Sequence, residues 1–187
     1  MKLPPIPVFI IGALLIALAF WAGMRLSGDG MLPKPDIHTM LPEDGRSHTK
    51  EKAYLYFAHP ASDTLSAEAR ELSLTGTPQD KTRIILEALI TGPSMEGSST
   101  LPEGTKLLAL YTEGNMAVLD FHPDIRNNHP GGSQGELMTI YALVNSIVIN
   151  VPEIRKVKIL IAGQEQDTLA GHIDIRHPLT ANMMIVR

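Results

Sequence analysis

His172 and Asp174 come nearest, by type and spacing, to a pair that could do chemistry. Two apart on an extended strand, their side chains share a face, and an imidazole beside a carboxylate could ligate a divalent metal with His177 or His59 as a further ligand. The plainer reading, preferred here, is solvated polar residues on an outer strand face. Asp120-Phe121-His122 sets another carboxylate near an imidazole. No nucleophile stands at a recognisable spacing from it, and Ser133 is better placed to cap a helix than to attack a substrate. The run Pro130-Gly131-Gly132-Ser133-Gln134-Gly135 precedes a helix and could cradle an anion there. It lacks the Lys and the spacing of a phosphate loop, and Glu136 would repel a phosphate. With no Cys in 187 residues, disulfides, thiolate zinc sites, Cys nucleophiles and lipid attachment at a lipobox Cys are excluded. The formal net charge of -4 gives no global electrostatic case for nucleic acid. No catalytic residue, cofactor-binding residue, metal ligand or cofactor is therefore expected. The chain points to a module and a cellular location rather than to a reaction.

The elements that would position these residues are organised around a hairpin. Thr105 to Thr112 and Asn115 to Phe121 read as strands joined at Glu113-Gly114-Asn115, where the Gly permits the positive φ of a tight turn. Leu107, Ala109 and Tyr111 fall on one face of the first strand and Lys106, Leu108 and Leu110 on the other, a two-sided apolar character that predicts a central strand. The second alternates more cleanly, Met116, Val118 and Asp120 opposing Ala117, Leu119 and Phe121.

Before the hairpin, Ala53 to Ala58 is a strand dense in aromatic β-formers, ended by His59-Pro60. Asp63 to Thr75 reads as irregular with a short strand. Thr77 is a helix N-cap, with Pro78 at the first helical position and Asp80 at N3. Ile84, Ile85, Ala88 and Leu89 give this helix its apolar spacing, and Gly92-Pro93 stops it. After the hairpin, His122 to Gly132 is a loop, and Ser133-Gln134-Gly135-Glu136 has the form of a capping box. The second helix carries Leu137, Ile140, Tyr141, Val144, Ile147 and Val148 as its stripe and ends near Asn150, before Pro152. Val157 to Ala162 is a strand, Leu169 to Ile175 reads as a last one, and Met183 to Val186 is a candidate terminal strand. The order β-α-β-β-α-β-β predicts an α+β class, two helices covering one face of a single mixed sheet.

The N-terminus carries the location. Ile6 to Met24 is apolar and free of charge, bracketed by Lys2 and Arg25. At about 1.5 Å per residue it spans roughly 28 Å, close to the about 30 Å hydrocarbon core of a bilayer. A buried core helix and a cleaved signal peptide, with Ala17-Leu18-Ala19 as a small-x-small site, are the alternatives. An uncleaved single-pass anchor in the cytoplasmic membrane is the favoured reading, with Trp21 near the interface and the bulk of the chain on the extracytoplasmic side. The expected organisation is an anchor over 1–25, a Pro/Gly linker over 26–50 and a folded domain over 51–187. As a flexible coil the linker would separate its ends by roughly 25 to 30 Å.

Taken in order, several of these segments resemble a known family. Leu101-Pro102-Glu103-Gly104-Thr105 leads into an apolar strand, followed by Gly114, by Ala117-Val118-Leu119-Asp120, and by Gly132-Ser133-Gln134-Gly135-Glu136 into an amphipathic helix. Val157-Lys158-Ile159-Leu160-Ile161-Ala162-Gly163 comes next. Tyr54-Leu55-Tyr56-Phe57 and His172-Ile173-Asp174-Ile175-Arg176-His177-Pro178-Leu179 match the ends. The whole, from Ala53 to Leu179, resembles the GerMN domain of sporulation and germination proteins. The resemblance implies a non-enzymatic extracytoplasmic module in envelope assembly or at the cell wall. Its spore-former pattern has two domain copies and a lipobox Cys, where this chain has one copy behind a helical anchor. The partners expected are the membrane, through the N-terminal helix, and an envelope protein or cell-wall component; neither nucleic acid nor a small-molecule substrate is expected. The competing classes are a cell-wall hydrolase or metal-dependent enzyme, and a nucleic-acid binder of ferredoxin-like order.

Overall fold

The computed structural model describes residues 50–95 and 97–187. The anchor over Ile6 to Met24 and the linker up to residue 49 lie outside the described residues. Among those described, no helix is long and apolar enough to cross a membrane.

Strand β1 (Glu51–Ala58) pairs antiparallel with β2 (Leu65–Leu72). The stretch expected to be mostly irregular thus holds a full eight-residue strand. Its Ser, Ala and Glu residues are poor β-formers, but pairing along the whole of the aromatic β1 overrides a weak local preference. Helix α1 (Pro78–Thr91) starts as the sequence requires: Thr77 Oγ1 accepts from the Asp80 amide at 3.2 Å, and Asp80 Oδ2 accepts from the Thr77 amide at 2.9 Å. Gly92, at φ +93°, ends it, its N–H donating a hydrogen bond to the Leu89 carbonyl.

Strands β3 (Leu107–Glu113) and β4 (Met116–Phe121) form the expected hairpin, with Gly114 at φ +56° in the turn. After a short α2 (Asp124–Asn127) and the long α3 (Ser133–Asn150), β5 (Lys156–Ile161) returns parallel to β4. The sheet order is β3-β4-β5, which corrects the placing of β3: it is an edge strand and β4 the central one. The register breaks between Leu107 and Ala109, so Leu108 sits in a bulge. Leu107 opposes Phe121, Leu110 opposes Leu119 and Thr112 opposes Ala117, and these three β3 residues therefore share the core face. The two-sided apolarity of this strand reflects that bulge, not burial on both faces.

Three further expectations are overturned. The single mixed sheet is two sheets, β1-β2 and β3-β4-β5. Helix α1 packs on α3, β1 and β3, while α3 packs on β1 and β5, so each helix touches both of these sheets. Leu169 to Ile175 is no strand. Thr168 and Asp174 make one isolated bridge and the residues between them loop out. Met183 to Val186 is a 3-10 turn (Met183–Ile185) followed by a single parallel bridge from Val186 to Leu65. The reason is Asn182, whose side chain accepts from the Met184 amide at 3.1 Å while its backbone is held at both ends by Asn145.

The core runs along α3. Ile140, Ala142, Leu143, Val144 and Ile147 are wholly inaccessible, as are Leu55, Leu86, Leu119, Phe121 and Ile159 from the surrounding elements. Leu137, Tyr141 and Val148 of the expected stripe are only half-buried. A helix packed between two sheets buries more than one stripe.

Candidate interaction surface

The buried chemistry belongs to Glu136. The expected capping box does not form: Gly132 is the N-cap, Ser133 is the first helical residue and makes no side-chain cap bond. Glu136 instead turns its fully buried carboxylate into the loop after β5. It accepts from the amides of Ala170 and Ile173 at 3.0 Å each, from the amide of His172 at 3.0 Å, and lies 2.6 Å from His172 Nδ1. A straight strand sends alternate amides to opposite sides and could not converge them on one carboxylate. This is why residues 169–175 form a loop. Burial pushes the carboxyl up, but the amides of Ile173 and Ala170 and the imidazole and amide of His172 outweigh it and hold the group at about 2.

His172 and Asp174 are therefore not a pair on one strand face. His172 is bound to Glu136, and Asp174 is chelated by Arg176, with Oδ2 2.7 Å from Nη2. The Arg176 side chain and amide hold the Asp174 carboxyl at about 2. Among the described residues, no three His, Asp or Glu side chains stand together as a metal site. Asp120 accepts from the Gly163 amide at 2.8 Å and fastens the turn after β5. His122 lies 3.0 Å from Asp124 rather than facing Asp120. His129 Nδ1 accepts from the Gly131 amide at 2.9 Å, so Nε2 carries the proton, donating to Thr139 Oγ1 at 3.0 Å. Thr139 in turn donates to the Thr100 carbonyl, and burial lowers the His129 pKa. The glycine run before α3 is thus organised by an internal imidazole. Arg126 lines an open cleft of about 460 Å³ beside His129, but its guanidinium is spent on Leu169 O, Thr168 O and Gln166 Oε1.

Two strand edges are closed by the fold. Asn150 brackets Tyr54, accepting from its amide at 2.8 Å and donating to its carbonyl at 2.7 Å; Ser146 Oγ accepts from the Tyr56 amide, and Ser98 pairs with Ala58. Beyond β5, Val157 and Leu179 exchange both backbone bonds at 2.8 Å. Among the described residues, the outer side of β3 has no strand partner. On β3 stand two of the large apolar side chains that remain exposed, Leu108 at 52% and Tyr111 at 57%. Tyr111 opposes Val118 in register and Val118 opposes Lys158, so Tyr111 borders the outer sheet face. There Met116, Val118 and Leu160 floor a groove of about 470 Å³ rimmed by Arg176 and His177. Lys158 is not free within it: its ammonium donates to the Arg176 carbonyl and lies 3.2 Å from Glu165. Sequence reasoning placed Leu108 and Tyr111 on a central strand and so missed this surface.

The sequence profile of the Germane family, described as sporulation and spore germination, matches residues 54–167. A candidate lipoprotein from Clostridium perfringens is 26% identical, with a TM-score of 0.52 over 70% of this chain and 87% of that one. The tandem GerMN domains of the sporulation protein GerM from Bacillus subtilis give a TM-score of 0.54 at 16% identity, over 70% of this chain and 46% of that one. The first GerMN domain of GerM alone gives 0.50 at 19% identity, over 71% and 96%. The two GerM comparisons speak for the fold. No curated protein matches the chain by sequence.

Proposed function

The chain belongs to the Germane family of sporulation and spore germination proteins, and on that premise we propose that it is a membrane-anchored, extracytoplasmic, non-catalytic interaction module with a role in envelope assembly. The observation that carries the reading is the unpartnered edge of β3 with Leu108 and Tyr111 exposed beside an apolar groove. An extended segment of an envelope protein can add to such an edge through main-chain bonds while its alternate side chains fill the neighbouring groove. The non-catalytic reading is supported by three carboxylates engaged within the fold: Glu136 by the 170–173 loop, Asp174 by Arg176 and Asp120 by Gly163. The anchor rests on the uncharged run Ile6 to Met24, and the Pro/Gly linker after it would let the domain stand off the bilayer.

Photo-crosslinking in cells, with the reactive residue at Leu108 or at Tyr111, tests the surface. A discrete crosslinked envelope protein at these positions, lost when the other of the two is changed to Glu, is the expected result. Crosslinks that are indifferent to both charges would remove β3 as the docking edge. A phosphatase fused after Arg187 should be active if the domain lies outside the cytoplasm, and a stable but inactive fusion would reverse that orientation.

A further inference from the structure

One face of the β1-β2 sheet is turned away from the core. Ala53, Leu55 and Phe57 point inward and are buried, so Lys52, Tyr54 and Tyr56 alternate onto the other face. Directly opposite residues of an antiparallel pair share a face, which adds Glu71, Ala69 and Ala67. Tyr54 is 41% exposed there, with Ala67 and Ala69 exposed beside it. Helix α3 brings more apolar groups to the border of this face. Its Asn150 brackets Tyr54 and its Ser146 accepts from the Tyr56 amide, so the C-terminal half of the helix runs along β1. Ile149, also exposed, immediately precedes Asn150. Asn145, one turn before Ile149, holds both backbone groups of Asn182, and the exposed Met183 and Met184 follow directly, Met184 at 95%. Four of the seven large apolar side chains left exposed among the described residues are thus gathered along the C-terminal half of α3, which is a patch rather than single exposed residues.

We propose that this patch rests on the surface of a phospholipid bilayer, with Tyr54, Ile149, Met183 and Met184 entering the headgroup layer, a proposal that presupposes the anchor set out above. Two features select a bilayer over a protein partner. The first is where the tether joins. The linker over 26–50 runs into β1 at Glu51, so Tyr54 stands four residues beyond Lys50. A coil whose ends lie roughly 25 to 30 Å apart holds the start of β1 near the lipid, and the linker that lets the domain stand off also lets this face return. Once the chain is anchored, contact with the membrane is intramolecular, and a small apolar area is enough to favour it. The second feature is the make-up of the patch. Met183 and Met184 are unbranched, flexible side chains on a 3-10 turn, which enter lipid without needing a shaped partner surface. The Tyr54 ring and hydroxyl suit the headgroup level. Its backbone gives a protein strand nothing to pair with on this side, because Asn150 takes both its N–H and its C=O. Lys52 lies opposite Glu71 on the same face, so apolar insertion rather than attraction to anionic lipid holds the contact, and zwitterionic lipid is a sufficient probe.

The absence of Cys makes the test direct. Full-length chains carrying Tyr54→Cys, Met184→Cys or Glu87→Cys are each labelled with an NBD dye and reconstituted into phosphatidylcholine vesicles, with and without lipid that bears a doxyl quencher near its headgroup. Glu87 is the reference, exposed on α1, which lies on the core side of the β1-β2 sheet where Arg70 donates to the Ala88 and Gly92 carbonyls. The labels at Tyr54→Cys and Met184→Cys should shift to the blue and lose most of their emission to the doxyl lipid, while the label at Glu87→Cys does neither. Adding Met183→Glu and Met184→Glu to the Tyr54→Cys chain should abolish its quenching. Labels at the two patch positions that are quenched no more than the reference overturn the proposal. A blue shift without quenching overturns it as well, since the occupant would then be another protein copy. A chain that fails to float with the vesicles contradicts the anchor itself, whereas one that floats with every label unquenched leaves the anchor and the β3 crosslinks standing.

Discussion

Without the Glu136 carboxylate, the amides of Ala170, His172 and Ile173 would face a cavity with no acceptor. Leaving several buried donors unpaired is costly, and Glu136→Ala should destabilise the domain by about 3 to 5 kcal/mol in urea unfolding. Glu136→Gln keeps one oxygen for these amides and should cost less, about 2 kcal/mol. The pH dependence has a definite sign. The folded-state carboxyl sits at about 2, below its ordinary value of 4.5, so its stabilisation is complete above 4.5 and is lost as pH falls toward 2. His129 acts in the same direction at higher pH: its value is depressed from 6.5, so stability is shed as the solution is acidified below that point. The urea midpoint of the Glu136→Gln variant should be flatter below pH 4.5 than that of the parent chain. Parallel acid limbs for the two proteins would contradict this assignment.

At the scale of elements, the bulge at Leu108 determines which side of β3 faces the core. Simple alternation groups Leu107 with Ala109 and Tyr111, and Leu110 with Lys106 and Leu108. The structure places Leu107 and Leu110 together inside and leaves Tyr111 out. Leu110→Ala should therefore cost about 2 to 4 kcal/mol, as for other buried leucines, and Tyr111→Ala under about 1 kcal/mol, as for an exposed site. Equal costs would argue against Leu110 facing the core and Tyr111 facing solvent. The β1 edge offers a second check. Asn150 serves both backbone groups of Tyr54, so Asn150→Ala should cost about 1 to 3 kcal/mol and speed hydrogen exchange at the Tyr54 amide more than at the Leu55 amide. Uniform acceleration across β1 would mean that the asparagine holds the whole helix rather than that edge.

At the scale of the molecule, helix α3 links the parts: its buried residues pack against both sheets, Asn150 and Ser146 close the β1 edge, and Asn145 holds the C-terminal tail at Asn182. Among the described residues, the edges left without a strand partner are that of β3, beside an apolar groove, and that of β2 beyond the Val186 bridge at Leu65. The interaction reading follows from this difference. An open strand edge can accept a further strand by main-chain pairing, and the proposal made for β3 rests on that.

Local signals were legible in the chain by themselves. The Thr77-Asp80 box and Gly92 of α1, the Gly114 turn, the β4 alternation and the apolar β5 all act through neighbours a few residues away, and the order of these segments sufficed to point to the GerMN fold. The remainder depended on groups far apart in the sequence. Whether Glu136 capped its own helix or a loop 34 residues on was decided by which amides lay nearest once α3 was packed. Whether the strands made one sheet or two, and which edges stayed open, depended on helices that reach both sheets. Hydrogen bonds of that span leave no period in the chain, because only the packed structure brings their partners within reach.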